Sequence, residues 1–384
     1  MPEPSRFQLS DEERTLVADA RRVGEETFEP IARAGEEGRV NRELVRALAS
    51  HGFLSRLEPE HPVIGGGPSA LELCLVREGL AGGSTDAETA FALQGLGSYP
   101  ILTAGSPEII ERFAGPVLRG EAVAAFALTE PSSGSDAGAL QLEAVRDGNA
   151  FVLTGDKAWI SNAPEMDVIT VFARTKPDAG PKGITAFVVH GEATGLSGDP
   201  IELLGPHPVG RLRFDDVRVP ASHVLGQVDK GLRLALETLD RFRPSVGAAC
   251  VGMAQAALDA AAAYASEREA FGKPIREFQA VSHQLAEMST RVDAARLLVY
   301  RAAAALDAGE AATTASAMAK LFATETAQRA IDAAIQVHGA VALERGHLLE
   351  RLYREVRATR IYEGTSEIQR EIIARGLFGR REPR

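Results

Sequence analysis

Cysteine is nearly absent: Cys74 and Cys250 are the only two in 384 residues, far apart and each inside an apolar run. That excludes a disulfide-stapled fold and a cysteine-rich metal site, and leaves buried, reduced thiols as the expectation. Basic residues are also in deficit, 42 Lys and Arg against 53 Asp and Glu, for a net charge of −11. Nucleic acid and anionic membrane surfaces are therefore excluded as broad partners, and any phosphate-bearing ligand falls to a few local arginines. No window of 18 uncharged apolar residues occurs, so no bilayer-spanning segment is expected. The opening "MPEPSRFQLSDEER" lacks the basic-then-apolar pattern of a secretory signal. No G-x-G-x-x-G follows a strand pattern, and the triple glycine Gly65–Gly67 has neither a strand before it nor a lysine after it, so it is no phosphate loop. What remains, 45% hydrophobic and 25% charged residues, is ordinary for a globular chain of two or three structural units. A cytoplasmic enzyme or binding protein is the expectation.

Three regions follow one another. Residues 1–124 carry helical periodicity: Ser10 and Glu13 form a capping box ahead of Leu16, Val17, Ala20 and Val23, and "RELVRALASHGF" and "ALELCLVREGLAGG" each read as a helix closed by glycine. Residues 125–226 change to short β-branched and aromatic segments, with a hairpin turn at Asp147–Gly148, which predicts an antiparallel β unit. Residues 227–384 are alanine-rich, with four periodic stretches beginning "LRLALETLDRF", "VGAACVGMAQ", "FQAVSHQLAE" and "ATTASAMAKL"; small residues at helical spacing favour a bundle. The order α–β–α has no βαβ repeat, which argues against a nicotinamide-type Rossmann domain.

Four places could carry chemistry. In "TRIYEGTSEIQRE" (359–371), Ser366 and Gln369 fit a capping box, so a helix starts near Ser366 and Glu363 sits on the connector before its positive end. A partly desolvated carboxylate there can serve as a general base; a solvated loop glutamate would read the same. "FALTEPSSGSD" (126–136) offers backbone N–H groups and the hydroxyls of Thr129, Ser132, Ser133 and Ser135 to an oxygen-rich ligand, or is an ordinary Gly/Ser turn. "AWISNA" (158–163) holds the sole tryptophan, Trp159, which with Ser161 can flank a planar ring or simply pack. Arg268 in "SEREAFGKPIREFQ" can take a phosphate bidentately, and Gly339 after Gln336 allows close backbone approach, though a helix-end arginine and a C-cap glycine need no ligand. His338 and His347 lack acidic partners at ligand spacing and read as structural, so no metal site is expected.

Taken in order, Thr-Glu-Pro-x-x-Gly-Ser-Asp, Trp-Ile-Ser-Asn, Arg-x-x-Phe-Gly-Lys, Gln-x-His-Gly and Ile-Tyr-Glu-Gly-Thr-Ser-Glu-Ile-Gln, with "FDDVRVP" at 214–220, resemble the acyl-CoA dehydrogenase family over essentially the whole chain. The resemblance implies an N-terminal helical domain (1–124), a middle antiparallel β-barrel (125–226) and a C-terminal four-helix bundle (227–384). It implies α,β-dehydrogenation of an acyl-CoA thioester with FAD as hydride acceptor and Glu363 as the base, whose own N–H helps bind the carbonyl oxygen. FAD contacts carry over to Phe126, Leu128, Thr129, Ser135, Trp159, Ser161, Thr365 and Glu367. By the same resemblance Arg268, Phe271, Gln279, Gln336 and Gly339 serve the FAD of a neighbouring subunit, implying a dimer or a dimer of dimers. Ser135, Asp240, Arg243 and Gly364 match substrate contacts, Tyr362 lines the acyl pocket, and the segment 84–104 forms its floor. An electron-transferring flavoprotein would reoxidise the flavin.

The chain departs from the family pattern in places. Phe242 stands where some members carry the base, which leaves Glu363 as the matching one. Gly339–Ala340 replaces a glycine pair, Arg354–Glu355 replaces Arg-Asp, and "LLGPHPVGRLRF" is short and lacks a serine, which affects the CoA contacts there. Three other readings stay open: an oxidase of the same superfamily, disfavoured by the lack of a long C-terminal extension; a dehydrogenase of a carrier-protein-tethered thioester; and a non-catalytic partner subunit.

Overall fold

The computed structural model describes residues 9–58 and 68–379. The Gly65–Gly67 connector and the first eight residues lie outside them. The described chain forms two compact units: one of residues 9–29, 69–88 and 241–379, the other of residues 30–58, 68 and 89–240.

The first unit is helical. Its core is made of small side chains, among them Ala248, Ala249, Ala254, Ala302, Ala319, Ala323 and Ala327, with Val292, Val299, Leu349 and Leu352 between them. The expected capping box at Ser10 and Glu13 is present and starts the helix Asp11–Val23. The glycines expected to close the next apolar stretch do something else. Gly82 and Gly83 lie within the helix Ala70–Gly83, which ends at Ser84. A Cβ at Gly79 would sit 2.5 Å from the Val17 carbonyl and 2.6 Å from Ala20 Cβ, and one at Gly83 would meet the Arg21 carbonyl. Spaced four apart, Gly79 and Gly83 make a groove into which the first helix settles backbone to backbone. Asp307 anchors the start of this helix, accepting hydrogen bonds from Ser69 Oγ and the N–H groups of Ala70 and Leu71 while pairing with Arg241 at 2.8 Å.

"LRLALETLDRF" and "VGAACVGMAQ", read as separate stretches, are one helix, Gly231–Glu267, running through Pro244. Proline removes one hydrogen-bond rung without ending a helix that packing holds on both sides. This helix also contains an 18-residue window apolar enough to cross a membrane once a charge is tolerated; 67% of that window is buried inside the protein, as in a core helix. The helices Gln279–Asp307, Thr313–His338, Leu348–Thr359 and Ser366–Phe378 complete the unit. Cys74 and Cys250 are both free and buried.

The second unit is built on a sheet of β1 (Ala124–Ala127), β2 (Glu143–Asp147), β3 (Ala150–Ser161), β4 (Val168–Arg174), β5 (Ile184–His190), β6 (Leu196–Pro200), β7 (Val209–Pro220) and β8 (Val224–Leu225). The path runs β6-β7-β3-β2-β4-β5-β8, with β1 added beside β4. The sheet is not wholly antiparallel as expected: β1 and β2 both pair β4 in parallel. β1 lies beside Val168–Val171 and β2 starts beside Arg174, so the 128–142 loop leaves β4 and rejoins the same edge further along, keeping the direction of the chain. The β2–β3 hairpin turns at Gly148, φ +62°. Its core combines Phe113, Phe172, Val168, Ile184 and Val188 with Ile101 from the helix Thr85–Ala104.

Candidate active site

Backbone strain picks out three positions. Among the described residues, seven other than glycine have positive φ, and four of them are Asn or Asp, which tolerate that region. The other three are Trp159 (φ +55°), Phe271 (+54°) and Glu363 (+50°). Each such residue costs on the order of 1–3 kcal/mol and persists where function needs it. All three are residues singled out from the sequence.

Glu363 lies on the connector between the helices Leu348–Thr359 and Ser366–Phe378. The second helix starts one residue earlier than read from the sequence: Thr365 is the N-cap, its hydroxyl accepting from Ile368 N–H at 3.3 Å, and Ser366 is the first helical residue. Ser366 Oγ instead donates to Glu325 at 2.8 Å, and Arg360 meets the same carboxylate at 3.0 Å. Gln369 does not close a capping box either. Its Nε2 donates back to the carbonyls of Glu363 (3.2 Å) and Gly364 (3.0 Å), because Gly364, at φ +93°, turns both toward it. Lys320, fully buried on the helix Thr313–His338, donates to the Gly364 carbonyl at 2.7 Å.

The Glu363 side chain itself has no such tether. Its Oε2 is buried without a hydrogen-bond partner, and its backbone N–H meets no acceptor among the described residues. Burial raises the carboxyl above the ordinary range, opposed by the positive charges of Arg77, Lys320 and Arg243 and assisted by Glu88. Burial also drives the Lys320 amine down to about 8. Arg77 pairs with Glu88 at 2.5 Å and donates to Ser245 Oγ at 2.7 Å. The site therefore holds a half-buried carboxyl group with one desolvated, unpartnered oxygen among fixed cations, and beside it an N–H with no acceptor among the described residues. This is what proton abstraction next to a carbonyl requires. Tyr362, next in the chain, keeps 38% of its surface exposed and its hydroxyl is raised by burial of its inner part. Gly364 and Arg243 are in the same unit; Arg243 and Asp240 share the helix Gly231–Glu267, Arg243 buried and Asp240 half-buried.

In the sheet unit, Phe126, Leu128, Thr129, Trp159 and Ser161 converge. Ala158 N–H donates to the Thr129 carbonyl at 3.0 Å, and Lys157, fully buried, binds both the Leu128 carbonyl (3.0 Å) and Glu130 (2.9 Å). Glu130 in turn accepts from the N–H groups of Gln141 and Leu142. One extra residue in β3 between Lys157 and Ile160 forms a bulge opposite Gly210–Leu212, and it swings Trp159 outward to 52% exposure. Ser135 is exposed further along the same loop. A rigid, outward-facing indole beside a hydroxyl- and glycine-rich loop fits one face of a large planar ligand.

Remaining positions form a second group on the helical unit. Phe271 and Gly272 (φ +81°) form the tip of a tight hairpin between Glu269–Ala270 and Lys273–Pro274, where Phe271 is 96% exposed. Arg268 enters that hairpin and Gln279 opens the next helix; both are exposed. Tyr264, four residues before Arg268, stacks on His338 at 4.3 Å, which brings Gln336 and Gly339 alongside. Gly339 has φ +70° and open space where a side chain would be. His338 and His347 pack ring against ring at 5.5 Å. Thr365 and Glu367 stay on the Glu363 connector and its helix. An exposed guanidinium, an aromatic held in a strained turn and a bare glycine suit a phosphate- and ring-bearing ligand.

Sequence reading missed Arg77, Glu88, Lys157, Lys320 and Gln369. The available signal was the lone charge in an apolar stretch: Arg77–Glu78 inside "LCLVREGL", Lys320 inside "SAMAKLFA".

Comparison with known proteins identifies the family. The N-terminal, middle and C-terminal domains of acyl-CoA dehydrogenase match residues 10–121, 125–217 and 229–378. The chain is 39% identical to the 3-(aryl)acrylate reductase of Clostridium sporogenes, over 94% of this chain and 96% of that protein. It is 35% identical to the cyclohexane-1-carbonyl-CoA dehydrogenase of Geobacter metallireducens, over 97% and 99%. A chain in the structure described as the electron transferring flavoprotein of Acidaminococcus fermentans superposes with a TM-score of 0.91 at 33% identity, covering 97% of this chain and 100% of that one. With all three domains matched along its length, the chain belongs to the acyl-CoA dehydrogenase family and is an FAD-dependent oxidoreductase.

Proposed function

We propose that the protein dehydrogenates an acyl-CoA thioester to the trans-2-enoyl-CoA, with Glu363 as the base. The observation that carries this is the Glu363 carboxyl group: its Oε2 is buried without a hydrogen-bond partner, and it is held on a strained connector. Glu363 takes the α-proton, and the charge that develops on the thioester oxygen is met by the Glu363 N–H, which has no other acceptor among the described residues. Bound FAD supplies the acceptor for the β-hydrogen, which leaves as hydride while the C=C bond forms. Phe126, Leu128, Thr129, Ser135, Trp159, Ser161, Thr365 and Glu367 hold the isoalloxazine and ribityl portion. Arg268, Phe271, Gln279, Gln336 and Gly339 hold the adenine and pyrophosphate end of a second copy's FAD, which makes the working form a homo-oligomer, a dimer of dimers. Ser135, Asp240, Arg243, Tyr362 and Gly364 contact the CoA ester.

The electron acceptor is an electron-transferring flavoprotein, the setting is cytoplasmic fatty or branched-chain acyl metabolism, and the domains divide at 1–124, 125–226 and 227–384. The Clostridium relative favours a second reading in which the same site runs in reverse, reducing a conjugated C=C bond with Glu363 returning the proton to the α-carbon.

Anaerobic titration of the purified yellow protein with straight, branched and aromatic acyl-CoAs tests the first reading. One class is expected to bleach the flavin band, and Glu363→Gln is expected to keep its FAD while losing at least the 10²–10⁴-fold that a positioned base contributes. Reoxidation of the reduced flavin by enoyl esters, without bleaching by any saturated ester, selects the reverse direction. A colourless protein that FAD does not reconstitute overturns both.

A further inference from the structure

Resting on the reading of Glu363 as the base, we propose that Lys320 and Gln369 are positioning residues that clamp the two peptides following Glu363 and so set the direction of the base. Lys320 contributes one hydrogen bond to the Gly364 carbonyl (2.7 Å), and Gln369 spans the Glu363 and Gly364 carbonyls (3.2 and 3.0 Å). Both side chains are fully buried, and both come from helices, Thr313–His338 and Ser366–Phe378.

Three features separate this arrangement from ordinary packing. Lys320 makes no ion pair among the described residues; its hydrogen bond goes to a carbonyl, which does not compensate an ammonium as a carboxylate would. A lysine placed this way weakens the fold, so stability does not account for it. Secondly, the clamped peptides carry positive φ at two successive residues, Glu363 and Gly364, a conformation that relaxes unless something external holds it. Thirdly, Gly364 has no room for a Cβ, which would lie 2.5 Å from Gln369 Nε2, so the glycine and the amide are fitted to each other. A peptide carbonyl and the N–H of the next residue point in opposite directions, so holding the Glu363 and Gly364 carbonyls inward fixes the Gly364 and Thr365 N–H groups and, through the Glu363 backbone, which way its side chain faces. Misplacement of such a group by about 1 Å costs on the order of 10²-fold in rate.

The test compares Lys320→Met, Lys320→Arg and Gln369→Leu with the wild-type holoenzyme. Hydrogen exchange of the 359–371 peptide is read by mass spectrometry, and anaerobic flavin reduction is followed against pH. Exchange does not depend on the reaction assigned to the site. Expected for Lys320→Met are at least tenfold faster exchange confined to 362–366, unchanged FAD content, and 10- to 100-fold slower flavin reduction with KM within about threefold. Lys320→Arg should recover part of both losses. Gln369→Leu keeps the charge and should loosen the same residues, which decides the matter if Lys320→Met does not fold. Unchanged exchange at 362–366 overturns the proposal. So does a loosened connector with wild-type reduction rates. Loosening in a protein that no thioester or enoyl ester reduces or oxidises leaves the clamp standing and rejects the dehydrogenase reading instead.

Discussion

Arg77 and Glu88 face each other across 2.5 Å with 3% and 5% of their side chains exposed, and Ser245 takes a second N–H of the guanidinium. An ion pair so completely withdrawn from water adds little net stability over apolar residues of the same volume, while removing one member strands the other charge at a cost of about 3–5 kcal/mol. Around Glu363 the charged and titratable groups are Arg77 and Glu88, Arg243 and Cys250 on the helix Gly231–Glu267, Lys320 and Glu325 on the helix Thr313–His338, and Tyr362. Burial raises the Glu363 carboxyl, Arg77 is the largest opposing influence, and Glu88 adds to the rise. A base works in its ionised form, so flavin reduction climbs as pH rises through the Glu363 pKa. Arg77→Met should lower the melting temperature and move that limb to higher pH. Arg77→Met with Glu88→Met should recover most of the melting temperature and bring the limb part of the way back, since the carboxylate that pushed Glu363 upward has gone. Melting curves and stopped-flow reduction at five or six pH values read both effects, and an unmoved limb in the single variant would remove Arg77 from the base's environment.

A second buried lysine holds the loop that carries Leu128 and Glu130. Lys157 ties the Leu128 carbonyl to Glu130, whose carboxylate also accepts from Gln141 and Leu142 N–H. Burial pushes the Lys157 amine down to about 8, with Glu130 resisting. Lys157→Met should therefore disorder residues 128–136 first, because Glu130 keeps its two backbone donors and so part of its compensation. Retained FAD per chain should fall below half, with a loss of about 3 kcal/mol or more in denaturant titration. Full flavin content together with wild-type stability would show that the loop holds itself.

Glu363, Trp159 and the Ser/Gly loop were legible in the sequence because each is an uncommon residue in a short punctuated motif. Their partners were not. Lys157 and Lys320 look like surface lysines until the fold encloses them, and Gln369 fits a capping box as well as it fits a clamp. Gly83 resembled a helix stop because glycine serves termination and close approach equally, and only the helix Asp11–Val23 across from it decides which. The two parallel pairings of β4 escaped because alternation reports which face of a strand is buried, not the direction of its neighbour. The single helix through Pro244 escaped because a proline in a periodic run marks a kink or an end with the same letters.

Trp159 offers the sharpest separation of ligand contact from packing. A tryptophan that served the core would be buried, yet this one is 52% exposed, sits in a bulge and holds φ +55°. Trp159→Gly releases the strain of about 1–3 kcal/mol and incurs roughly 0.5–1 kcal/mol of added chain entropy. The apoprotein should then melt no lower than wild type, and by this arithmetic somewhat higher. FAD, by contrast, loses an aromatic face whose stacking is worth about 0.5–1.5 kcal/mol beyond the area it covers. Its dissociation constant should rise about tenfold or more, since each 1.4 kcal/mol is a factor of ten. Differential scanning calorimetry of the apoprotein and fluorescence titration with FAD give the two numbers independently. A lower apo melting temperature with unchanged FAD affinity would make Trp159 a packing residue and would take the strained bulge out of the flavin site.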